Sequence, residues 1–461
     1  MRTRDQLKPF QEDAIGWLGD GMRGALFADM GSGKTAIALT HLSDHDLFPA
    51  LVISTKRVCE LVWEAEAAQW QHLHHLRFSR VMGNSAERSH SLYDTADIYL
   101  INIENIQWLM DQPEFPKFRC VVLDELSLWK GMKKRWKAVR KWLADGIPEV
   151  IGLTGTPASN GYEGLWPQME LIEPGMLGRT MTLYRQTHFW QLREHMIELR
   201  PGEQDKILRR MEPHVFRISN KDLKMPALVE NDIPVRIPDV EARQLIAEFR
   251  RESYVCENPV SAVTPARDND WHPGWEISGN SAASAINKLV QMGNGSVYTD
   301  DGTVLRVHDG KEEALKEYIA EQQGQPVMIA YYYKHDLDAI KRALPGIRCM
   351  NGDITSAEAA SLKDDWNNNR LPYMAIHPGS GGHGLNLQEG QANRICWYSM
   401  VWDLDLYDQT NARICRQGND EPTVWVDRLI AGPEDRTIAT ALTAKTSVQD
   451  ALLAYYEGLQ S

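Results

Sequence analysis

Short runs of apolar, mostly β-branched residues alternate with amphipathic stretches through the first 172 residues. Gly24–Ala28, ALVIS (50–54), IYLIN (98–102), CVVLD (120–124) and VIGLT (150–154) are each long enough for one buried strand. Between them, patterns such as TAIALTHL and VCELVWEAEAAQW carry apolar residues at helical spacing. Strand and helix in alternation predict a parallel sheet covered on both faces, with ligands at the carboxyl ends of its strands. The pattern returns after about residue 310 in PVMIAYY (326–332), YMAIHP (373–378), RICWYS (394–399) and TVWVDRLI (423–430). From roughly 173 to 283, charged helical patterns such as QLREHMIELRPGEQDKILRRME dominate, and NPVSAVTPARDNDWHPGWEISGN (258–280) reads as a long loop. An α/β protein is expected, with domains at 1–172 and 284–461 and a helical extension and linker over 173–283.

At 461 residues, with 43% hydrophobic and 25% charged positions, the chain has material for two or three folded cores. The net charge of −13 confines any nucleic-acid site to a local basic groove, since the average surface repels phosphate. Six cysteines (Cys59, Cys120, Cys256, Cys349, Cys396, Cys415) are scattered without a C-x-x-C pair, so neither a zinc ribbon nor a disulfide framework is expected. The N-terminal residues lack a signal-peptide apolar stretch, and no run approaches the roughly 18 to 20 apolar residues of a membrane span. The expectation is a soluble cytoplasmic monomer with no membrane association.

The stretch LFADMGSGKTAIALTHL (26–42) places a glycine-rich bend between a strand and a helix that opens with Lys-Thr. That order puts backbone N–H groups and a helix N-terminus around phosphates. Met30, Gly31, Ser32 and Gly33 would form the loop of an ATP site, Lys34 would reach the β- and γ-phosphates, and Thr35 would ligate Mg²⁺. The strict pattern has glycine five positions before Gly33, where this chain has Ala28.

CVVLDELS ends an apolar strand in Asp124 and Glu125. A carboxylate for the Mg²⁺ shell and a second to polarise the attacking water would complete such a site. Alone, the pair reads more readily as a helix cap with an acidic first turn; about 90 residues past a phosphate loop it points to ATP hydrolysis. LTGTPASN (153–160) follows another strand, and the hydroxyls of Thr154 and Thr156 around Gly155 can sense the acidic pair, although a plain Gly-Thr-Pro turn has the same composition.

Together these segments resemble the motifs of superfamily 2 helicases and translocases, in particular the Swi/Snf-like branch. LKPFQEDAIGWL (7–18) is similar to that branch's adenine-recognition motif, which implies that Gln11 reads the adenine edge with Phe10 packed nearby. LVISTKRVCELVWEAEAAQW (51–70) resembles the segment called Ia, which implies strand contacts at Ser54 and Thr55. GSGGHGLNLQEGQANRICWYS (379–399) is similar to motif V, placing Gly381, Gly382 and Asn386 on nucleic acid. DLYDQTNARICRQG (405–418) is similar to motif VI, with Gln409 at the nucleotide and Arg413 and Arg416 as arginine fingers. The resemblance implies two RecA-like P-loop NTPase domains that close on Mg-ATP, and an ATP hydrolase moving along DNA, double-stranded for preference. A strand-separating DNA or RNA helicase is the first alternative, and an ATP-driven switch or assembly factor acting on a protein partner the second. The compact length resembles the short helicases of bacteriophages and prophages, and implies phage or host replication and recombination proteins as partners.

The chain departs from that family where Leu126 and Ser127 replace the usual Ala-His after the acidic pair; coupling to motif III then runs through Ser127 or is altered. LWKGMKKRWKAVRKW (128–142) is the most basic stretch, but Met132, Trp136, Val139 and Leu143 share one helix face, so Trp136 is expected in the core and the basic residues on a solvated face, with phosphate contact by some of Lys130, Lys133 and Lys134 as the alternative. His41, His45, His72, His74 and His75 lack a completing ligand set and are expected at the surface.

Overall fold

The computed structural model describes the chain except residues 20, 132–133, 160, 194–195, 219–224, 256–276, 278–281, 380–385 and 461. Residues 1–218 make up the body of one compact unit, and residues 225–379 with 386–443 make up a second. In the first, seven strands are introduced in chain order: β1 (Arg23–Ala28), β2 (Ala50–Ser54), β3 (Phe78–Arg80), β4 (Ile98–Asn102), β5 (Cys120–Asp124), β6 (Glu149–Thr154) and, after the antiparallel hairpin β7 (Phe189–Arg193) and β8 (Met196–Leu199), β9 (Val215–Ile218). The sheet order is β3-β4-β2-β5-β6-β1-β9, with every neighbouring pair parallel. Alternate residues serve opposite faces: Ala25 and Phe27 join one apolar core, while Leu26 and Ala28 join the other. Covering helices include α1 (Pro9–Leu18), α2 (Lys34–Asp44), α3 (Lys56–Leu61) and α4 (Trp63–Ala67).

The second unit repeats the plan with β10 (Ala227–Pro234), a hairpin of β11 (Ser296–Tyr298) and β12 (Val304–Arg306), then β13 (Val327–Ala330), β14 (Arg348–Met350), β15 (Tyr373–Ile376), β16 (Arg394–Trp397) and β17 (Thr423–Ile430). Its sheet order is β10-β17-β16-β13-β15-β14, again all parallel. Two parallel sheets flanked by helices are the α/β architecture that the strand runs call for, with two RecA-like lobes.

Two described strands of the stretch 173–283 belong to the large sheets. β9 lies beside β1 at the edge of the first sheet, and β10 lies beside β17 at the edge of the second. The pattern over 191–212 is not helical throughout: it begins in β7 and continues in β8, Pro201 and Gly202 end that run, and the helix spans Glu203–Met211. The segment 258–280, expected to be a loop, lies outside the described residues except for Ile277. Among the described residues, no helix is long and apolar enough to cross a membrane, and no cluster of His, Cys, Asp or Glu could hold a metal ion by itself.

Candidate functional site

Strands β2, β5, β6 and β1 are consecutive in the sheet and point the same way, so Ser54, Asp124, Thr154 and Ala28 end at one edge. Beyond β1 the chain turns through Gly31 (φ 82°) and Gly33 (φ 80°), both in the left-handed region that glycine enters at little cost. α2 then starts at Lys34 with no side-chain cap and no acidic residue in its first turn. Its opening amides and the positive end of its dipole are therefore met by no carboxylate of the same turn. Lys34 Nζ donates to the carbonyls of Ala28 (2.9 Å) and Asp29 (3.5 Å), and the buried Ser32 Oγ has no hydrogen-bond partner. Met30 and Thr35 are partly buried on either side of it.

Gln11, on α1, is laid against this loop. Its Oε1 accepts from Lys8 N (2.9 Å) and its Nε2 donates to Ser32 O (2.9 Å). A Cβ at Gly33 would come within 2.3 Å of that Nε2, so the glycine also permits the approach. Phe10 is half-buried, with the Lys8 ammonium 5.9 Å from its ring centroid.

The acidic pair is held from two sides. Asp124 Oδ2 accepts from Ser54 Oγ and from Trp63 Nε1, each at 3.0 Å. Glu125 is buried in the left-handed region (φ 69°), a conformation that costs a non-glycine residue roughly 1–3 kcal/mol. Its Oε1 accepts from Ser127 Oγ and Thr154 Oγ1, both at 2.8 Å, and Thr154 Oγ1 accepts in turn from Thr156 N (3.1 Å). Ser127, at the position of the missing histidine, thus bonds directly to the second carboxylate. A Cβ on Gly155 would stand 3.4 Å from Ala28 O and 3.7 Å from Lys34 Nζ, so the Thr154–Thr156 turn abuts the glycine-rich loop. Thr156 Oγ1 is buried there without a partner.

In the second unit, Asp403 caps the helix Leu404–Asn411 by accepting from Asp405 N (2.9 Å) and Leu406 N (3.4 Å). Gln409 and Arg413 are buried along this segment. Arg413 O accepts from Leu387 N (3.2 Å), and Arg416 Nη1 donates to Asn386 Oδ1 (2.7 Å). The segments resembling motifs V and VI therefore lie together. Gly381 and Gly382 are outside the described residues.

Of the two residues expected on a strand, Ser54 is buried with its hydroxyl on Asp124, and the Thr55 Oγ1 is buried without a partner. His41 is not at the surface; it is buried with its Nε2 3.5 Å from Glu149 Oε2, while His72 Nε2 is 3.0 Å from Thr40 Oγ1. The basic stretch does pack as its periodicity indicates, with Trp136, Val139 and Leu143 buried along Lys134–Gly146. Met132 and Lys133 lie outside the described residues, and Lys130 bonds to Ser159.

Arg217 is a site residue the sequence does not advertise. It is buried on β9, donates to Phe27 O (3.1 Å) and Ile218 O (2.6 Å), and pairs with Asp29 Oδ1 at 2.6 Å. An arginine inside the apolar run VFRI was the available signal, but its partner on the glycine-rich loop is 188 residues away.

The donor set fits a polyphosphate: a lysine resting on its own loop carbonyls, an uncapped helix start, and two buried hydroxyls without partners. The adjacent Asp124 and Glu125 fit a hydrated divalent cation beside it. The SNF2-related domain family matches residues 10–251. Protein p41 of Acyrthosiphon pisum secondary endosymbiont phage 1 is 31% identical over 97% of both chains. YwqA of Bacillus subtilis is 23% identical over 97% of this chain and 49% of its own length. The human DNA annealing helicase and endonuclease ZRANB3 is 24% identical over 98% of this chain and 41% of its own, so the chain spans less than half of either of these two relatives. The Sulfolobus solfataricus SWI2/SNF2 ATPase core in complex with dsDNA aligns over 97% of this chain and 93% of that one, at 21% identity and a TM-score of 0.42. With more than half its length matched by the family and a relative above 30% identity from end to end, the chain belongs to the SNF2-related family of nucleic-acid-dependent ATP hydrolases.

Proposed function

We propose that the chain couples hydrolysis of Mg-ATP to closure of its two lobes and to movement along DNA, with duplex DNA as the track. The observation that carries this reading is the bonded chain from Ser127 through Glu125 and Thr154 to Thr156, whose turn abuts Lys34. In this reading Lys34 leaves its loop carbonyls to bind the β- and γ-phosphates, and Gln11 and Phe10 hold the adenine edge. Thr35 and Asp124 would hold Mg²⁺, which when bound neutralises charge on the phosphate oxygens. Glu125 accepts a proton from the attacking water, and a carboxylate already held by two hydroxyls is oriented for that task. Thr154 and Thr156 carry a change at the γ-phosphate into the adjoining turn. Arg413 and Arg416 of the second lobe stabilise the transferring phosphoryl on closure, with Gln409 beside them. Asn386, with Gly381 and Gly382, grips the strand's phosphates; DNA as the track draws support from the name of the human relative.

The test is ATP turnover of the wild type and Glu125→Gln with no nucleic acid, single-stranded DNA, duplex DNA and RNA, at two salt concentrations. Duplex DNA should stimulate the wild type, salt should weaken the stimulation, and Glu125→Gln should lose roughly 100- to 1,000-fold in turnover while still binding nucleotide. Turnover indifferent to duplex DNA would sink the proposed track, and wild-type turnover in the mutant would remove Glu125 from the chemistry.

A further inference from the structure

The ten residues from Ser54 to Trp63 send two side chains to one carboxylate. Ser54 ends β2, next to β5 in the sheet, and its hydroxyl donates to Asp124 Oδ2 at 3.0 Å. Trp63 opens α4 with its side chain wholly buried, and its indole N–H donates to the same oxygen at 3.0 Å. Cys59 lies between them on α3; burial pushes its thiol pKa well up, and the nearby Asp124 carboxylate pushes it further the same way.

A buried indole N–H needs an acceptor, and a backbone carbonyl would ordinarily serve, as Pro167 O does for Trp136 at 2.9 Å. Trp63 instead donates to the carboxylate at the mouth of the nucleotide site. A donor to an ionised acceptor forms a stronger, more directional bond than a neutral pair, and an immobile ring transmits that direction. Two donors on one oxygen fix the plane of the Asp124 carboxylate.

We infer that Trp63, assisted by Ser54, is the positioning residue of the metal-holding carboxylate: its indole N–H sets the orientation in which Asp124 meets the divalent cation of the nucleotide. The inference rests on the proposed reading of Asp124 as a metal-holding group. It also gives the segment that resembles Ia an inward task, directed at the metal shell.

The experiment measures equilibrium binding of a fluorescent ATP analogue to the full chain, in a Glu125→Gln background that removes turnover, across a Mg²⁺ titration and in EDTA. Trp63→Phe keeps most of the ring and removes the N–H. It should raise the Mg²⁺ concentration needed for half of the affinity gain by about tenfold, the lower end of what outer partners of metal ligands contribute, and leave affinity in EDTA unchanged. Ser54→Ala removes the second donor with little change in volume and should shift the titration the same way. It keeps the test open if Trp63→Phe fails to fold. Equal loss in Mg²⁺ and EDTA, or an unshifted titration in both variants, would overturn the inference. Lys34→Ala separates the two readings: if it abolishes nucleotide binding while both variants are silent, only the role of Trp63 falls, whereas full binding in Lys34→Ala would remove the nucleotide site itself.

Discussion

The connection after β1 and the connection after β13 begin from the same plan. Each leaves the end of an inner parallel strand and enters a helix whose first residue is a lysine, Lys34 in one case and Lys334 in the other. After β1 the link contains Gly31 and Gly33, the helix is uncapped, and its first turn has no acid. After β13 the link is Tyr331-Tyr332-Tyr333, with Tyr331 buried, and Asp336 in the first turn accepts from Tyr333 N at 2.8 Å. A helix start is thus a phosphate site only where no ring fills the approach and no carboxylate already occupies the positive end. The contrast extends to buried charge. The buried arginine of the first unit, Arg217, pairs with Asp29 on the glycine-rich loop, whereas the buried lysine of the second lies away from any such loop: Lys311 Nζ reaches Asp435 Oδ2 (3.1 Å), Asn294 Oδ1 (2.8 Å) and Tyr398 O (2.9 Å).

Lys311→Met probes that contrast most strongly. Removing one partner of a fully buried pair leaves the Asp435 carboxylate uncompensated, and a loss of about 3–5 kcal/mol is expected in the second unit. Hydrogen exchange should show the loss at Val327–Ala330 while the amides of Arg23–Ala28 keep their protection. Unchanged exchange at β13 would mean the buried lysine does not brace this unit.

Acid should separate the units next. Burial, with the Lys311 ammonium as the second cause, lowers the His308 pKa from its ordinary 6.5 to about 4, and its Nδ1 accepts from Gly310 N at 3.0 Å. Between those values the unfolded chain binds the proton and the folded chain does not, so stability rises with pH. The contribution, on the order of 3 kcal/mol, is present in full above about pH 6.5 and is lost as pH falls through 4. A pH series of urea midpoints for wild type and His308→Gln would test it, since the variant should be flatter over that window.

Gly33→Ala is the mildest change, with a backbone cost of about 1–2 kcal/mol from placing a Cβ at φ 80°. The approach to Gln11 Nε2 should also weaken nucleotide binding beyond what stability explains. Equal nucleotide affinity in the variant and the wild type would show that the left-handed turn is not needed there.

What could be read from the sequence followed from locality. The strands that lie inside the sheets are mostly apolar runs; the bounds read at 50–54 and 423–430 are the observed ones, and others, such as 326–332 against Val327–Ala330, differ by a few residues. The glycine-rich loop, the acidic pair and the Thr-Gly-Thr turn are each contiguous, so their meeting at one sheet edge follows from parallel order alone. The edge strands β9 and β10 fall in the stretch 173–283 and carry a weak strand signal, since one has four residues with an arginine inside and the other interrupts its apolar residues with Glu230, Asn231 and Asp232. Contacts between distant positions were not legible at all: Trp63 with Asp124, Arg217 with Asp29, and His41 with Glu149 are 61, 188 and 108 residues apart, and nothing local in either member names the other.

The place of β9 also bears on how the molecule is made. On a ribosome, residues 1–200 emerge with every other strand of the first sheet present, yet β1 still has an open hydrogen-bonding edge, and Asp29 awaits its arginine. The glycine-rich loop, already held by Gln11, gains its Arg217–Asp29 pair only once Val215–Ile218 has left the exit tunnel, so a nascent chain stalled before that point would carry the whole motif without its finished support.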